Sequence, residues 1–189
     1  MNANPVADRL SAENMVLVVV DIQEKFRDVI FGMEQVITNT GRMIQFSQHL
    51  NIPVVLTEQY PRGLGVTVPE IRNLCSPFRP LEKVEFSCAA NAEFNKTLTE
   101  LGRNQVVLCG LEAHVCIYQT AHDLLRQGKQ VALVTDAVSS LSSANREIGL
   151  RRLSEMGVQS MNAQMVMFEV LGKAGTDNFK LVSSLLKED

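Results

Sequence analysis

The run Val106-Val107-Leu108-Cys109-Gly110-Leu111-Glu112-Ala113-His114-Val115-Cys116, continued by Ile117 to Gln127 and stopped at Gly128, decides the fold. Its opening residues, apolar in succession and partly β-branched, predict a strand buried on both faces. Gly110 breaks that strand. Beyond the break, Cys116, Thr120, Ala121, Leu124 and Leu125 recur at helical spacing, and Gly128 supplies the C-terminal stop. Cys116 therefore stands where a loop hands over to a helix, past the carboxyl end of a central strand. Ligands bind at that edge in open α/β sheets, and the free N–H groups of a helix start favour a thiolate over a thiol. On these grounds Cys116 is either a nucleophile or a small apolar residue packed in the core. Position alone leaves both open.

Outward from this stretch the chain alternates two periods. Residues 1–13 are polar and read as a loose arm. Met15 to Val20 is a buried strand ending at Asp21-Ile22-Gln23, followed by a helix from about Glu34 to Leu50. Ile52 to Thr57 is a second strand, with Pro53 tolerable at its start. Glu58 to Pro80, rich in Gly and Pro, is the longest irregular region and has the length at which loops carry function. Leu81 to Phe86 predicts a short strand, and Ala92 to Leu101 a helix closed by Gly102. After the central strand and its helix come a strand at Gln130–Thr135, a helix at Ser143–Met156 capped by Ser143 or Asn145, and a short strand at Val158–Met161. Gln164 to Leu171 and Asp177 to Leu186 read as helices. Strands alternating with helices through short turns imply a parallel sheet with helices on both faces. No linker or repeat divides the 189 residues, so one domain is expected over residues 1–189.

Composition narrows the function. A formal net charge of −3 offers no general basic footprint for nucleic acid, and without Trp there is little aromatic surface for stacking bases. No apolar run approaches membrane-spanning length, and no basic segment precedes a hydrophobic core at the start. The cysteines Cys75, Cys88, Cys109 and Cys116 lack paired C-x-x-C spacing, which predicts reduced thiols and a cytoplasmic or organellar setting.

Parallel order brings the carboxyl ends of all strands to one edge. Asp21 follows the first strand, Lys83 lies near the third and Cys116 follows the fourth. Taken singly, an Asp after a strand can be a turn cap and a Lys a solvated charge. Taken together they form a device in which Lys83 lowers the thiol pKa while Asp21 accepts and returns its proton.

The segments Val19-Val20-Asp21-Ile22-Gln23-Glu24-Lys25-Phe26, Glu82-Lys83-Val84-Glu85-Phe86-Ser87 and Cys109 to Cys116 occur in this order. Along nearly its whole length the chain resembles the isochorismatase-like superfamily of cysteine hydrolases. Thr57 to Gly65, with Thr67-Val68-Pro69-Glu70, resembles its isochorismatase domain-containing subgroup. The resemblance implies a Rossmann-like three-layer α/β/α fold with a six-stranded parallel sheet in the order 3-2-1-4-5-6. It also implies an Asp21–Lys83–Cys116 triad, an oxyanion hole from the backbone N–H groups of Glu112 and Cys116, and a cis peptide between Leu111 and Glu112. Gln23 and Phe26, close to Asp21, are expected to line the pocket, with Tyr60, Phe86, Glu112 and His114 as further candidates.

Departures from relatives matter equally. The nicotinamidase branch carries an Asp and several His as metal ligands after the second strand, whereas here that region reads Glu58-Gln59-Tyr60-Pro61. Three widely spaced histidines do not supply such a cluster, so no metal and no other cofactor is expected. Isochorismatases proper lack the nucleophilic cysteine in the family pattern, which Cys116 restores. What remains is hydrolysis of a carbon–nitrogen bond in a small amide, carbamoyl or ureide-like molecule through a thioester. A scaffold protein on the same fold and an acyl transferase are the alternatives. Expected partners are a small-molecule substrate and further copies of the chain, with no nucleic acid and no membrane. The apolar set Met156, Met161, Met165, Met167, Phe168, Val170 and Leu171 suggests a homo-oligomer contact within Gln164–Leu171.

Overall fold

The computed structural model describes residues 8–187. Strands β1 (Met15–Val20), β2 (Val54–Gln59), β3 (Leu81–Lys83), β4 (Gln105–Gly110), β5 (Gln130–Val138) and β6 (Gln159–Met161) make one sheet in the order β3-β2-β1-β4-β5-β6. Every neighbouring pair is parallel. The helices are α1 (Met33–His49), α2 (Pro61–Leu64), α3 (Pro69–Arg72), α4 (Ala92–Leu101), α5 (Cys116–Arg126), α6 (Ser143–Glu155), α7 (Ala163–Leu171) and α8 (Asp177–Leu185).

Strand alternation sorts the core into two halves. Met15, Leu17 and Val19 of β1 pack with α1, α7 and α8 on one face. Val16, Val18 and Val20 pack with α4, α5 and Leu153 of α6 on the other. All six β1 residues are buried, as a central strand of a doubly covered sheet requires. The strand order reverses direction between β1 and β4, so their carboxyl ends, at Asp21 and Gly110, flank the switch point where such sheets bind ligands. Gly110 is indispensable there. Its φ is 113°, and a Cβ would lie 2.0 Å from the carbonyl oxygen of Val20.

Three differences from the predicted elements have physical causes. β2 runs on through Glu58 and Gln59 because both polar side chains are satisfied while buried: Glu58 accepts from the Thr67 N–H and hydroxyl at 2.7 Å, and Gln59 accepts from Lys83 Nζ at 2.6 Å and donates Nε2 to the Val84 carbonyl at 2.9 Å. The supposed irregular stretch contains α2 and α3, each started by a proline at its first turn. α6 is capped by Ser142, whose hydroxyl accepts from Asn145 N–H, rather than by Ser143 or Asn145 itself. The loose arm is also corrected in part. Leu10 is buried and its N–H donates to Glu169, while Gln105 ties Arg9 and Ser11 to the sheet. Residues 1–7 lie outside the described residues. Among the described residues no helix is long and apolar enough to cross a membrane.

The C-terminal apolar set is largely consumed by the protein's own core. Met161, Val166 and Met167 are buried, and Met167 has no exposed surface. Met165 and Phe168 face outward, at 51% and 42% exposure. Met167 is therefore not a surface contact, and a charge there meets core rather than partner. Met167→Lys should destabilise the chain by more than about 4 kcal/mol, whereas Met165→Lys should stay within about 0.5 kcal/mol in dilute monomer. Urea unfolding of the two variants measures the contrast, and equal midpoints would contradict this packing.

Candidate active site

The site begins with a turn. After β1 the chain bends at Asp21, whose φ of 55° is left-handed, a conformation Asp tolerates better than most residues. The turn aims its carboxylate across the end of β2 toward the end of β3. There Lys83 Nζ donates to Asp21 Oδ2 at 2.7 Å, to Gln59 Oε1 at 2.6 Å and to the Glu85 carbonyl at 3.3 Å. All three ammonium protons are engaged. Thr57 donates its hydroxyl to the other carboxylate oxygen of Asp21 at 2.7 Å. Cys88 in turn donates weakly to the Thr57 oxygen at 3.9 Å.

Cys116 is the first residue of α5 and lines the same cavity as Asp21. Asp21, Lys83 and Cys116 are all buried, with 1%, 4% and 7% exposure. Burial pushes the Cys116 thiol up to about 12, the Asp21 carboxylate adds to the rise, and Lys83 opposes it. Lys83 does pull the thiol down, as expected, but the net shift is upward rather than downward. Lys83 is also paired with Asp21, and desolvation of the sulfur outweighs its pull. For Lys83 itself, burial acts to lower the ammonium, but Asp21 and the sulfurs of Cys88 and Cys116 together raise it.

The Leu111–Glu112 peptide is cis, as the resemblance implied. The N–H groups of Leu111, Ala113, Val115 and Ile117 all find backbone acceptors, while those of Glu112 and Cys116 donate to none among the described residues. Both residues line a cavity of about 90 Å³ whose walls also include Asp21 and Gln59. Phe26, Leu64, Phe86, Leu111 and Val115 supply its apolar surface. A groove of about 430 Å³ runs beside Tyr60, Arg62, Glu82, Lys83 and Val84 at the sheet edge. It reaches Lys83 but neither Asp21 nor Cys116, which line the smaller cavity together.

Of the residues expected to contact substrate, Phe26 and Phe86 line the cavity. Gln23 does not. It is fully buried and staples the loop, donating to the Gln59 and Gly65 carbonyls at 3.1 and 2.6 Å. Tyr60 belongs to the outer groove, and its backbone N–H reaches Lys83. His114 turns away toward Ser140 at 3.1 Å and Tyr118 beyond it. Thr57, Gln59, Leu64, Leu111 and Val115 were not anticipated. For Thr57 and Gln59 a signal existed: two polar residues, two apart, close the second strand on the side of Asp21. Among the described residues no group of three His, Cys, Asp or Glu is gathered to hold a metal ion.

Residues 15–165 match the family model for the isochorismatase domain. The chain belongs to the isochorismatase family. Isochorismatase domain-containing protein 2 of Danio rerio is 42% identical over 179 residues, covering 94% of this chain and 89% of that protein. The structure of MAR1 ribonuclease from Caenorhabditis elegans superposes with a TM-score of 0.89 at 34% identity, covering 96% and 94% of the two chains. The YcaC gene product of Escherichia coli, described as an octameric hydrolase of unknown specificity, gives 0.89 at 22% identity over 97% and 91%. That last likeness is one of fold. This isochorismatase-family chain thus has the hydrolase fold of its relatives, with the sheet order expected from its sequence.

Three buried thiols dictate how stability responds to alkali. Burial, the largest cause in each, raises Cys88 to about 11 and Cys109 and Cys116 to about 12, from 9.0. The folded chain keeps these protons where the unfolded chain sheds them. Stability from this source is complete below about pH 9 and declines as pH climbs toward the folded values. The urea midpoint should accordingly fall between about pH 9 and 11, and Cys109→Ala should flatten the fall while costing about 1 kcal/mol in packing. An unchanged slope in Cys109→Ala would contradict this.

Proposed function

We propose that the chain is a cysteine hydrolase that cleaves a carbon–nitrogen bond in a small amide, carbamoyl or ureide-like compound without a metal. One observation carries the reading: Cys116, the base Asp21 and the residues of two uncommitted N–H donors, Glu112 and Cys116, line one small cavity. With its resting thiol held protonated, Cys116 attacks as its proton passes to Asp21. The new S–C bond converts the carbonyl oxygen to an oxyanion, which the Glu112 and Cys116 N–H groups receive. One such donor is worth about 3 kcal/mol in a transition state. Asp21 then gives the proton to the departing nitrogen, the C–N bond breaks and a thioester remains. Water, losing a proton to Asp21, attacks the thioester, and the thiol is restored as the acid leaves. Lys83 does not touch the reacting atoms in this scheme. It holds Asp21 in place and balances its charge.

The likeness to a protein named as a ribonuclease raises a second reading. A cavity of about 90 Å³ and a net charge of −3 weigh against RNA, whose binding rests on neutralising phosphates. A small molecule is the better fit. The E. coli neighbour is described as octameric, and Met165 and Phe168 give this chain an exposed apolar pair on α7, so we hold the homo-oligomer as part of the proposal.

Screening small amides, carbamoyl compounds and ureides should reveal turnover that Cys116→Ala abolishes while its far-ultraviolet circular dichroism is unchanged. Exhaustive EDTA should leave the wild-type rate intact. Full activity in Cys116→Ala would end the mechanism, and loss to EDTA with recovery on adding zinc would end its metal independence.

A further inference from the structure

Asp21 is gripped from two strands, and the part of that grip supplied by β2 has no counterpart in the expected triad. A carboxylate turns easily about its last torsion, so one ion pair does not set its plane. Asp21 also sits in a left-handed turn rather than in a strand, which leaves its side chain to be fixed by what it touches. Thr57, on the neighbouring β2, holds it twice. The Thr57 carbonyl accepts from the Asp21 N–H at 3.2 Å, and the Thr57 hydroxyl donates to Asp21 Oδ1 at 2.7 Å. Lys83 takes the other oxygen, Oδ2. The hydroxyl has a single proton, spent on Asp21, so its oxygen is left to accept. The fully buried Cys88 Sγ donates to it at 3.9 Å, and Cys88 N–H in turn donates to Thr120 Oγ1 at 2.8 Å. Thr120 stands four residues after Cys116 on α5, one turn along the same face. A buried string, Thr120–Cys88–Thr57–Asp21, therefore runs from the helix that starts at Cys116 to the carboxylate that shares its cavity, without passing through Lys83.

Resting on the hydrolase reading above, we propose that Thr57 is a positioning residue for the general base. Its hydroxyl, backed by Cys88, sets the plane of the Asp21 carboxylate for proton exchange with Cys116. Valine has the shape of threonine without the hydroxyl. In Thr57→Val, Oδ1 loses its donor in a dry site, and the carboxylate turns toward another. Proton exchange depends on that alignment, and a displacement of about 1 Å can cost about 100-fold in rate. The thiol responds in the opposite sense. Burial, and after it the Asp21 carboxylate, hold the Cys116 thiol up at about 12, so a carboxylate turned away lets it fall and the sulfur alkylates faster at fixed pH.

Iodoacetamide labelling of Cys116, followed by mass spectrometry at about pH 8, reads this without any substrate. Thr57→Val should label about fivefold faster than wild type, and Thr57→Ser, which keeps the hydroxyl, within about twofold of it. On an amide that the screen finds to turn over, Thr57→Val should lower kcat by about 10- to 100-fold with KM within about threefold, and Thr57→Ser should recover most of the loss. Placed on top of Asp21→Asn, Thr57→Val should change labelling little, because the group it acts through is already gone. Circular dichroism checks that each variant is folded. If Asp21→Asn does not fold, the contrast between Thr57→Val and Thr57→Ser decides alone. Wild-type labelling in folded Thr57→Val overturns the proposal, and so does a wild-type kcat. Equal changes in Thr57→Val and Thr57→Ser overturn the role of the hydroxyl, and a change undiminished beside Asp21→Asn overturns action through Asp21. The expected labelling pattern with no amide turned over by wild type overturns the hydrolase reading instead and leaves the positioning of Asp21 standing.

Discussion

A lysine ammonium and an aspartate carboxylate 2.7 Å apart, each almost wholly withdrawn from water, set the terms for everything at the carboxyl edge of this sheet. Desolvating two such charges costs several kcal/mol per ion, and their attraction offsets this only when the remaining protons and lone pairs are also satisfied. Here they are. Thr57 fills one side of the carboxylate, and Gln59 and the Glu85 carbonyl fill the ammonium. The pair joins the end of β1 to the end of β3 across β2, and β3 is only three residues long. Sheet pairing of Thr57, Glu58 and Gln59 with Leu81, Glu82 and Lys83 brings the edge strand alongside, and the ion pair fixes its last residue. Losing either partner would strand a buried charge, at a cost of about 3–5 kcal/mol.

The other half of the site is positioned by backbone contacts rather than by charge. Ala113 N–H donates to the Ser139 carbonyl at 2.9 Å, and Leu141 N–H donates to Glu112, so the turn after β5 grips the segment leading to Cys116. From behind, Gly149 of α6 presses directly on that segment. A Cβ there would lie 2.8 Å from the carbonyl carbon of Ala113 and 2.9 Å from His114 N. β5 reaches this position because its register with β4 shifts between Leu108 and Gly110, which carries the strand on to Val138.

The alternation of buried runs with helical periods was enough to place the strands and helices within a few residues, because each sheet face is covered and apolar residues mark it. It was also enough to put Asp21, Lys83 and Cys116 on one edge. Side-chain direction was not legible. Gln23, two residues after Asp21, points back into the loop because its amide satisfies the Gln59 and Gly65 carbonyls, and nothing in local spacing reveals acceptors so distant along the chain. His114 is two residues from Cys116, yet the turn sends it to Ser140. Residues 8–13 looked unattached because their anchors, Gln105 and Glu169, lie about 90 to 160 positions away. Met167 shows the same limit: whether α7 buries Met165 or Met167 depends on where α1 and α8 pack.

The thiol was misjudged for an instructive reason. A helix start and a nearby lysine both lower a cysteine pKa, and sequence displays both. Burial and the competing claim of Asp21 on Lys83 appear only when the chain is folded, and together they leave Cys116 protonated at rest, raised to about 12. In the proposed mechanism a protonated resting thiol has a chemical advantage. The sulfur does not carry a standing negative charge beside the Asp21 carboxylate. Under that proposal charge develops only as the carbonyl arrives, with the N–H groups of Glu112 and Cys116 to receive the oxyanion. Electrostatic help is then confined to the transition state, where it accelerates the reaction rather than merely holding the ground state.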